Sequence, residues 1–309
     1  MLCNRAPIRY CGAPCTIVPM SDIPSPLAPP QVTLATLRAE LDRLDDQVHD
    51  LLMARARVVE QVAALGAKGP VALRPGREAD IIRRLLARHT GKLPRLVLPR
   101  LWRELFAATT SMQGQYVVAV CETQPGGGFV AAAREHFGML TPLRAHRSPA
   151  QALAEVSRGT ATVAVLPMPA EDEPLSAAWW TALLQRDEPR IHVVARLPFW
   201  SPRPEGSPGV RALVVATVAP DASQRDRSLI GLELPGEMSR ARLTAAIAEA
   251  GLSLGGSILR RDPHDPTARA LLDVEGLVAD DDPRLALLSA SRPPVVLGAY
   301  AVPVDGETP

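Results

Sequence analysis

Ten positions near the start of the chain step by three and four residues without a slip: Leu34, Leu37, Leu41, Leu44, Val48, Leu51, Arg55, Val58, Val62 and Leu65. That is a heptad seam, which predicts a long helix packing on other helices. With Thr33 as N-cap and Gly66 as stop, the helix is roughly 33 residues and about 50 Å long. One seam position is an arginine. A cation in an apolar seam is costly unless an anion meets it. Two readings follow: a buried ion pair within the bundle, or a pocket between helices for an anionic ligand.

The chain has 309 residues, room for two or three domains. Its net charge of +1 provides no basic excess for neutralising phosphates, which argues against nucleic acid as a partner. No apolar run reaches the length of a membrane span. Residues 1–31 are rich in proline and lack a secretory apolar core, so they are expected to form a disordered leader. Met20 opens the polar stretch MSDIPSP and is a candidate start of translation. Cys3, Cys11 and Cys15 precede it, leaving Cys121 in the folded body. No histidine or fourth cysteine stands near those three at zinc spacing, so neither metal nor cofactor is expected, and a reduced cytoplasmic setting fits best.

Three helices are expected over residues 33–113. The second runs from Arg77 to about His89 with Ile81, Ile82, Leu85 and Leu86 on one face. The third starts at Pro94 to Pro99 and buries Leu98, Leu101, Trp102, Leu105, Phe106 and Met112. From Tyr116 the pattern changes to alternating strands and helices, including a helix over LSAAWWTALLQ, which predicts a small parallel α/β lobe. Residues 201–209 read as a linker. After a first strand at Arg211–Val218, the tail reads βαββαβ, a ferredoxin-like order, with its second helix at Asp282–Ser289. The domains are therefore a leader (1–31), a helical domain (32–114), an α/β lobe (115–208) and a βαββαβ domain (209–309).

Arg38 and Arg55 lie 17 residues apart on the first helix, which separates them by about 25 Å and turns them about 100° apart. One copy of the helix cannot bring both to one small ligand. If both serve one site, a second protomer supplies one of them, and the seam gives that protomer a reason to be present. Two guanidinium forks suit two carboxylates. Arg77 and Glu78 open the second helix, where exposed amides favour anions. Thr109 and Gln113 are one turn apart near the end of the third. Cations, one glutamine and one carboxylate without a nucleophile suit a reaction driven by positioning and electrostatics. Each residue alone reads as a solvated surface group; their joint presence carries the weight.

The segments LATLRAELDRLDDQVHDLLMARARVVEQV, RPGREADIIRRLL and LWRELFAATTSMQ resemble, in order and spacing, the all-helical chorismate mutases. The resemblance covers residues 34–113. It implies an intertwined three-helix homodimer that rearranges chorismate to prephenate. By position, Arg38 would reach into the other protomer's site and Arg55 would clamp a substrate carboxylate. Arg77 and Glu78 fall on the family's Arg-Glu pair, with Glu78 on the substrate hydroxyl. Thr109 and Gln113 fall on the third-helix pair, with Gln113 at the ether oxygen. The family's lysine, four residues after the position of Val62, is here Gly66; Lys68 takes its role if the helix ends at Gly66 and the chain turns back. Losing that donor would cost on the order of 10²–10³ in rate. Arg74 stands where relatives often place an aspartate.

The remainder resembles prephenate dehydratase through VAVCETQPGGGFVAAAREHFG and GTATVAVLPMP. The family's Pro-Glu-Asn-Ser motif reads Pro167-Met168-Pro169-Ala170, its catalytic Thr-Arg-Phe reads Val210-Arg211-Ala212, and the second lobe that normally intervenes is missing. These departures predict no dehydratase activity. The tail resembles the ACT regulatory domain, whose ligand-binding segments correspond to Pro235-Gly236-Glu237-Met238 and Ile258-Leu259-Arg260-Arg261. Only fragments of that pattern survive, so packing and dimerisation are expected of it. The sequence thus predicts a chorismate mutase fused to a truncated dehydratase-like lobe and an ACT-like tail. Its rivals are a non-catalytic metabolite sensor and a bifunctional mutase-dehydratase.

Overall fold

The computed structural model describes residues 32–65, 72–174, 177–201, 203, 205–262, 265–288 and 290–305. The expected leader, Gly66 and Lys68 lie outside the described residues. The chain divides into two units, Met1–Arg55 and Ala56–Pro309.

The first unit is the greater part of α1 (Leu34–Ala64). Thr33 caps it as expected: its hydroxyl accepts from Thr36 N at 3.2 Å, and Thr33 N donates to Thr36 Oγ1 at 3.0 Å. This reciprocal pair satisfies donors that a helix start leaves open. α1 buries none of its residues. Leu34, Leu37, Leu41, Leu44, Val48, Leu51 and Val58 are all exposed, from 42% at Leu44 to 69% at Leu51.

The second unit carries α2 (Pro75–Ala87) and α3 (Val97–Ser111), followed by a mixed sheet. Ile82 and Leu86 of α2 and Phe106 of α3 pack with Phe199, Trp200 and Ala301, which fasten both helices to the sheet region. α3 is rotated from the expected stripe. It buries Pro99, Arg103, Phe106, Ala107, Thr109 and Thr110, while Leu101 and Met112 stay exposed. Small residues and one cation suit the close approach to the sheet lobe, which the larger side chains would obstruct.

The nine strands are β1 (Val118–Cys121), β2 (Leu143–His146), β3 (Val163–Pro167), β4 (His192–Leu197), β6 (Ala212–Ala216), β7 (Asp226–Pro235), β8 (Leu254–Arg260), β9 (Thr267–Glu275) and β10 (Val295–Ala301). A separate short pair joins β5 (Trp200–Ser201) to β11 (Val304–Asp305). The sheet order is β2-β1-β3-β6-β4-β10-β7-β9-β8. β1, β2 and β3 are parallel as expected. The lobe is nevertheless mixed rather than parallel, because β6 runs antiparallel between β3 and β4. All five residues of β6 are buried, which fits a central strand. A continuous apolar run marks a strand as buried but does not name its neighbours.

Two expected helices are shorter 3-10 turns. In the first, Trp179–Gln185, the indole of Trp179 donates to Pro167 O at 2.9 Å and Trp180 is buried. The second, Pro283–Leu287, starts at an Asp282 cap, and five residues are too few to sustain α-helical turns. α4 (Phe129–Phe137) lies over one face of the lobe; α5 (Pro149–Ser157) lies over the other with the tryptophan turn. α6 (Arg240–Glu249), capped by Ser239, covers one face of the tail through Leu243 and Ile247. Counted within the βαββαβ unit, the tail's strands lie in the order 4-1-3-2. β10 also pairs in parallel with β4 at Gly298 and Val193, making one continuous sheet.

Candidate active site

Within the first unit, Arg38 is exposed and Arg55 half-buried on α1, which ideal helix geometry separates by about 25 Å. Neither can share a small ligand with the other inside one chain.

The second unit holds the remaining described candidates. α2 begins at Pro75, two residues earlier than expected, because an acceptor is waiting for its amides. Asp221, in the connection from β6 to β7, accepts from Gly76 N at 2.9 Å and from Arg77 N at 3.1 Å. The carboxylate complements the positive end of the helix and satisfies two donors. The amides expected to favour an outside anion therefore already hold one from the chain itself. A Cβ at Gly76 would come within 2.4 Å of Asp221 O, so only glycine permits the approach. The Arg77 side chain is exposed.

Glu78, the next residue, turns inward. Its Oε2 accepts from Arg103 Nη1 at 2.7 Å. Arg103 is 3% exposed, and its guanidinium lies over the Phe199 ring at 5.0 Å from the centroid. Burial lowers the pKa of Arg103, and the neighbouring Glu78 carboxylate opposes that shift. Tyr116 and His136 border the same region. Burial, reinforced by Glu78, pushes the Tyr116 phenol well above its ordinary value. Burial, reinforced by Arg103, holds the His136 imidazole well below its ordinary value. Burial thus favours uncharged Tyr116 and His136 beside the Arg103–Glu78 ion pair.

Thr109 and Gln113 do meet on α3, as their spacing implies. Gln113 Nε2 donates to Thr109 O at 2.8 Å. The Thr109 hydroxyl donates back to Leu105 O at 2.8 Å, so it is turned onto its own helix. Of the expected site residues, the structure joins Thr109 to Gln113 and gives Glu78 a partner that sequence reasoning missed. Arg103 carried one usable signal: it falls in register with Phe106, Ala107 and Thr110, the face that proves to be buried. Asp221 carried none, because a cap supplied from 145 residues away leaves no local pattern.

Arg83 fixes this arrangement to the sheet. Its guanidinium donates to Val302 O at 2.7 Å and Arg225 O at 3.1 Å, and also to Ser223 O. Arg261 ties the two expected ACT-like ligand segments together, donating to Gly236 O at 3.1 Å and Met238 O at 2.5 Å.

Residues 37–114 match the family chorismate mutase type II. That interval encloses every candidate named on the three helices. The bifunctional chorismate mutase/prephenate dehydratase of Pseudomonas aeruginosa is 32% identical over 148 residues, 45% of this chain and 39% of that protein. The chain thus spans about two fifths of the length of this curated relative. Among solved structures, GqqA, described as a novel type of quorum quenching acylase, is 17% identical with a TM-score of 0.46, covering 61% of this chain and 96% of its own. Prephenate dehydratase from Streptococcus mutans is 16% identical with a TM-score of 0.44, covering 61% and 99%. No helix among the described residues is long and apolar enough to cross a membrane.

Proposed function

We propose that this protein is a chorismate mutase, an isomerase converting chorismate to prephenate in the route to phenylalanine and tyrosine, and that it works as a homodimer in the cytoplasm. The observation that carries the reading is the family match over 37–114, the interval holding Arg38, Arg55, Arg77, Glu78, Thr109 and Gln113. The exposed seam of α1 supports the dimer, since an apolar stripe this long is stabilised by a second helix. Pairing two copies lets Arg38 of one reach the site containing Arg55 of the other.

The rearrangement is pericyclic and needs no nucleophile, metal or covalent intermediate. Arg38 and Arg55 hold the two carboxylates of the substrate in the compact reactive shape. Glu78 accepts from the substrate hydroxyl, and Gln113 donates toward the ether oxygen as charge develops there, with Lys68 as a second donor. Thr109 sets the position of Gln113 through its carbonyl.

Dehydratase activity is absent in this reading. Pro167-Met168-Pro169-Ala170 and Val210-Arg211-Ala212 provide no hydroxyl or carboxyl for that chemistry. The tail, an ACT-like unit, serves packing and self-association. A second reading, a non-catalytic binder of aromatic-pathway metabolites, is favoured by Gly66 in place of a donor lysine. One assay separates them: purified protein is given chorismate while substrate loss and the appearance of prephenate and phenylpyruvate are followed. Prephenate alone is expected. No loss of chorismate removes the mutase reading, and phenylpyruvate restores the bifunctional one.

A further inference from the structure

Arg103 is a buried cation that the reaction scheme does not use, and its position is expensive. A guanidinium at 3% exposure loses most of its hydration, and one ion pair rarely recovers that loss. Burial shows the same cost by lowering its pKa. Its Nε is also buried without a hydrogen-bond partner. An apolar residue of similar volume would fill this space at lower cost. What such a residue could not do is hold Glu78. The contacts around Arg103 are arranged to fix its direction. Phe199 lies beneath the guanidinium at 5.0 Å and Phe106 flanks it at 6.0 Å, which leaves Nη1 aimed at Glu78 Oε2 at 2.7 Å. Tyr116 and, from α4, His136 are among the described groups beside the pair, and burial favours the uncharged form of both.

We infer that Arg103 is a positioning residue for the mutase reaction: it holds the Glu78 carboxylate in one orientation, braced by Phe199 from the sheet region. The inference rests on the mutase reading. A carboxylate has about four acceptor sites, so accepting from Arg103 does not exhaust its capacity for a substrate hydroxyl. Held from behind, Glu78 keeps a fixed direction without reorganisation as the substrate is compressed. Because Phe199 lies in the segment between β4 and β5, the sheet region becomes part of the mutase apparatus.

The test compares full-length wild type, Arg103→Lys, Glu78→Gln and the double variant in the chorismate assay, with folding monitored by circular dichroism. Lysine keeps the charge but lacks the planar fork that rests on Phe199. Arg103→Lys should lower kcat about 10-fold with KM changed less than about 3-fold, since only the direction of Glu78 is affected. In the Glu78→Gln background the same change should have no further effect on kcat, because the group it positions is gone. A merely structural role would lower both backgrounds alike. Wild-type kcat in Arg103→Lys, or in Glu78→Gln, overturns the inference, as does a further 10-fold loss in the double variant. If Arg103→Lys does not fold, Phe199→Leu replaces it in the same comparison, with the same two outcomes. Absence of turnover in wild type overturns the mutase reading and this inference with it.

Discussion

Arg55 and His136 illustrate how differently one residue can depend on its surroundings. Arg55 stands in a seam whose other members are aliphatic, so its charge is worth keeping only for an anion. If Arg55 is the proposed carboxylate clamp, Arg55→Ala should lower chorismate turnover at least about 100-fold, because a charge-assisted contact is lost; unchanged steady-state kinetics would remove it from the site. His136 could not be singled out in the sequence. Burial, with Arg103 beside it, holds its folded pKa well below the ordinary value. In the unfolded chain it takes up a proton near pH 6.5. Its contribution to stability is therefore full above that pH and is lost as pH falls toward the folded value. The thermal stability of wild type should weaken from about pH 6.5 downward, and His136→Leu should flatten that part of the profile. A wild-type Tm that is level between pH 7 and pH 5 would contradict this.

Among the elements, α1 and α3 make the clearest contrast. The seam of α1 was legible because a strict three-and-four period has few structural meanings, and its N-cap fell where Thr33 predicted. The period marks an apolar face without naming what covers it. If the proposed dimer forms along this seam, Leu44→Glu should convert it to monomer in sedimentation, because a charge replaces the least exposed of the seam leucines. Turnover should fall in parallel if Arg38 acts across the pair; an active monomer would exclude that. α3 was read with its inward face partly right: Phe106 is buried and Leu98 and Trp102 pack against the core, but Leu101 and Met112 are exposed. Its large aliphatic residues formed the stronger pattern, yet Arg103, Ala107 and Thr110 are among the residues it buries. Hydrophobic periodicity finds an apolar stripe, not the surface against which a helix is laid. The shortening of Trp179–Gln185 and Pro283–Leu287 to 3-10 turns has the same origin, since packing overrode propensity over a few residues.

At the scale of the whole molecule, the joint between β4 and β10 turns what reads as two successive units into one nine-stranded sheet. Gly298 makes it possible. Its φ is +135°, and an added Cβ would stand 2.1 Å from Val193 O. Gly298→Ala should cost about 3 kcal/mol, from backbone strain and overpacking together, measurable as a lower denaturation midpoint with the mutase kinetics of the surviving folded protein little changed. A midpoint equal to wild type would mean that the joint does not bear on stability. By itself the sequence determined the start and cap of α1 and the positions of most strands, because these depend on local periodicity and residue chemistry. The tertiary structure alone decided that β6 enters the sheet between β3 and β4, that Asp221 caps α2, and that Arg103 holds Glu78. Each of those joins residues far apart in the chain, and such pairings are selected by shape and burial, which leave no periodic trace in the order of residues.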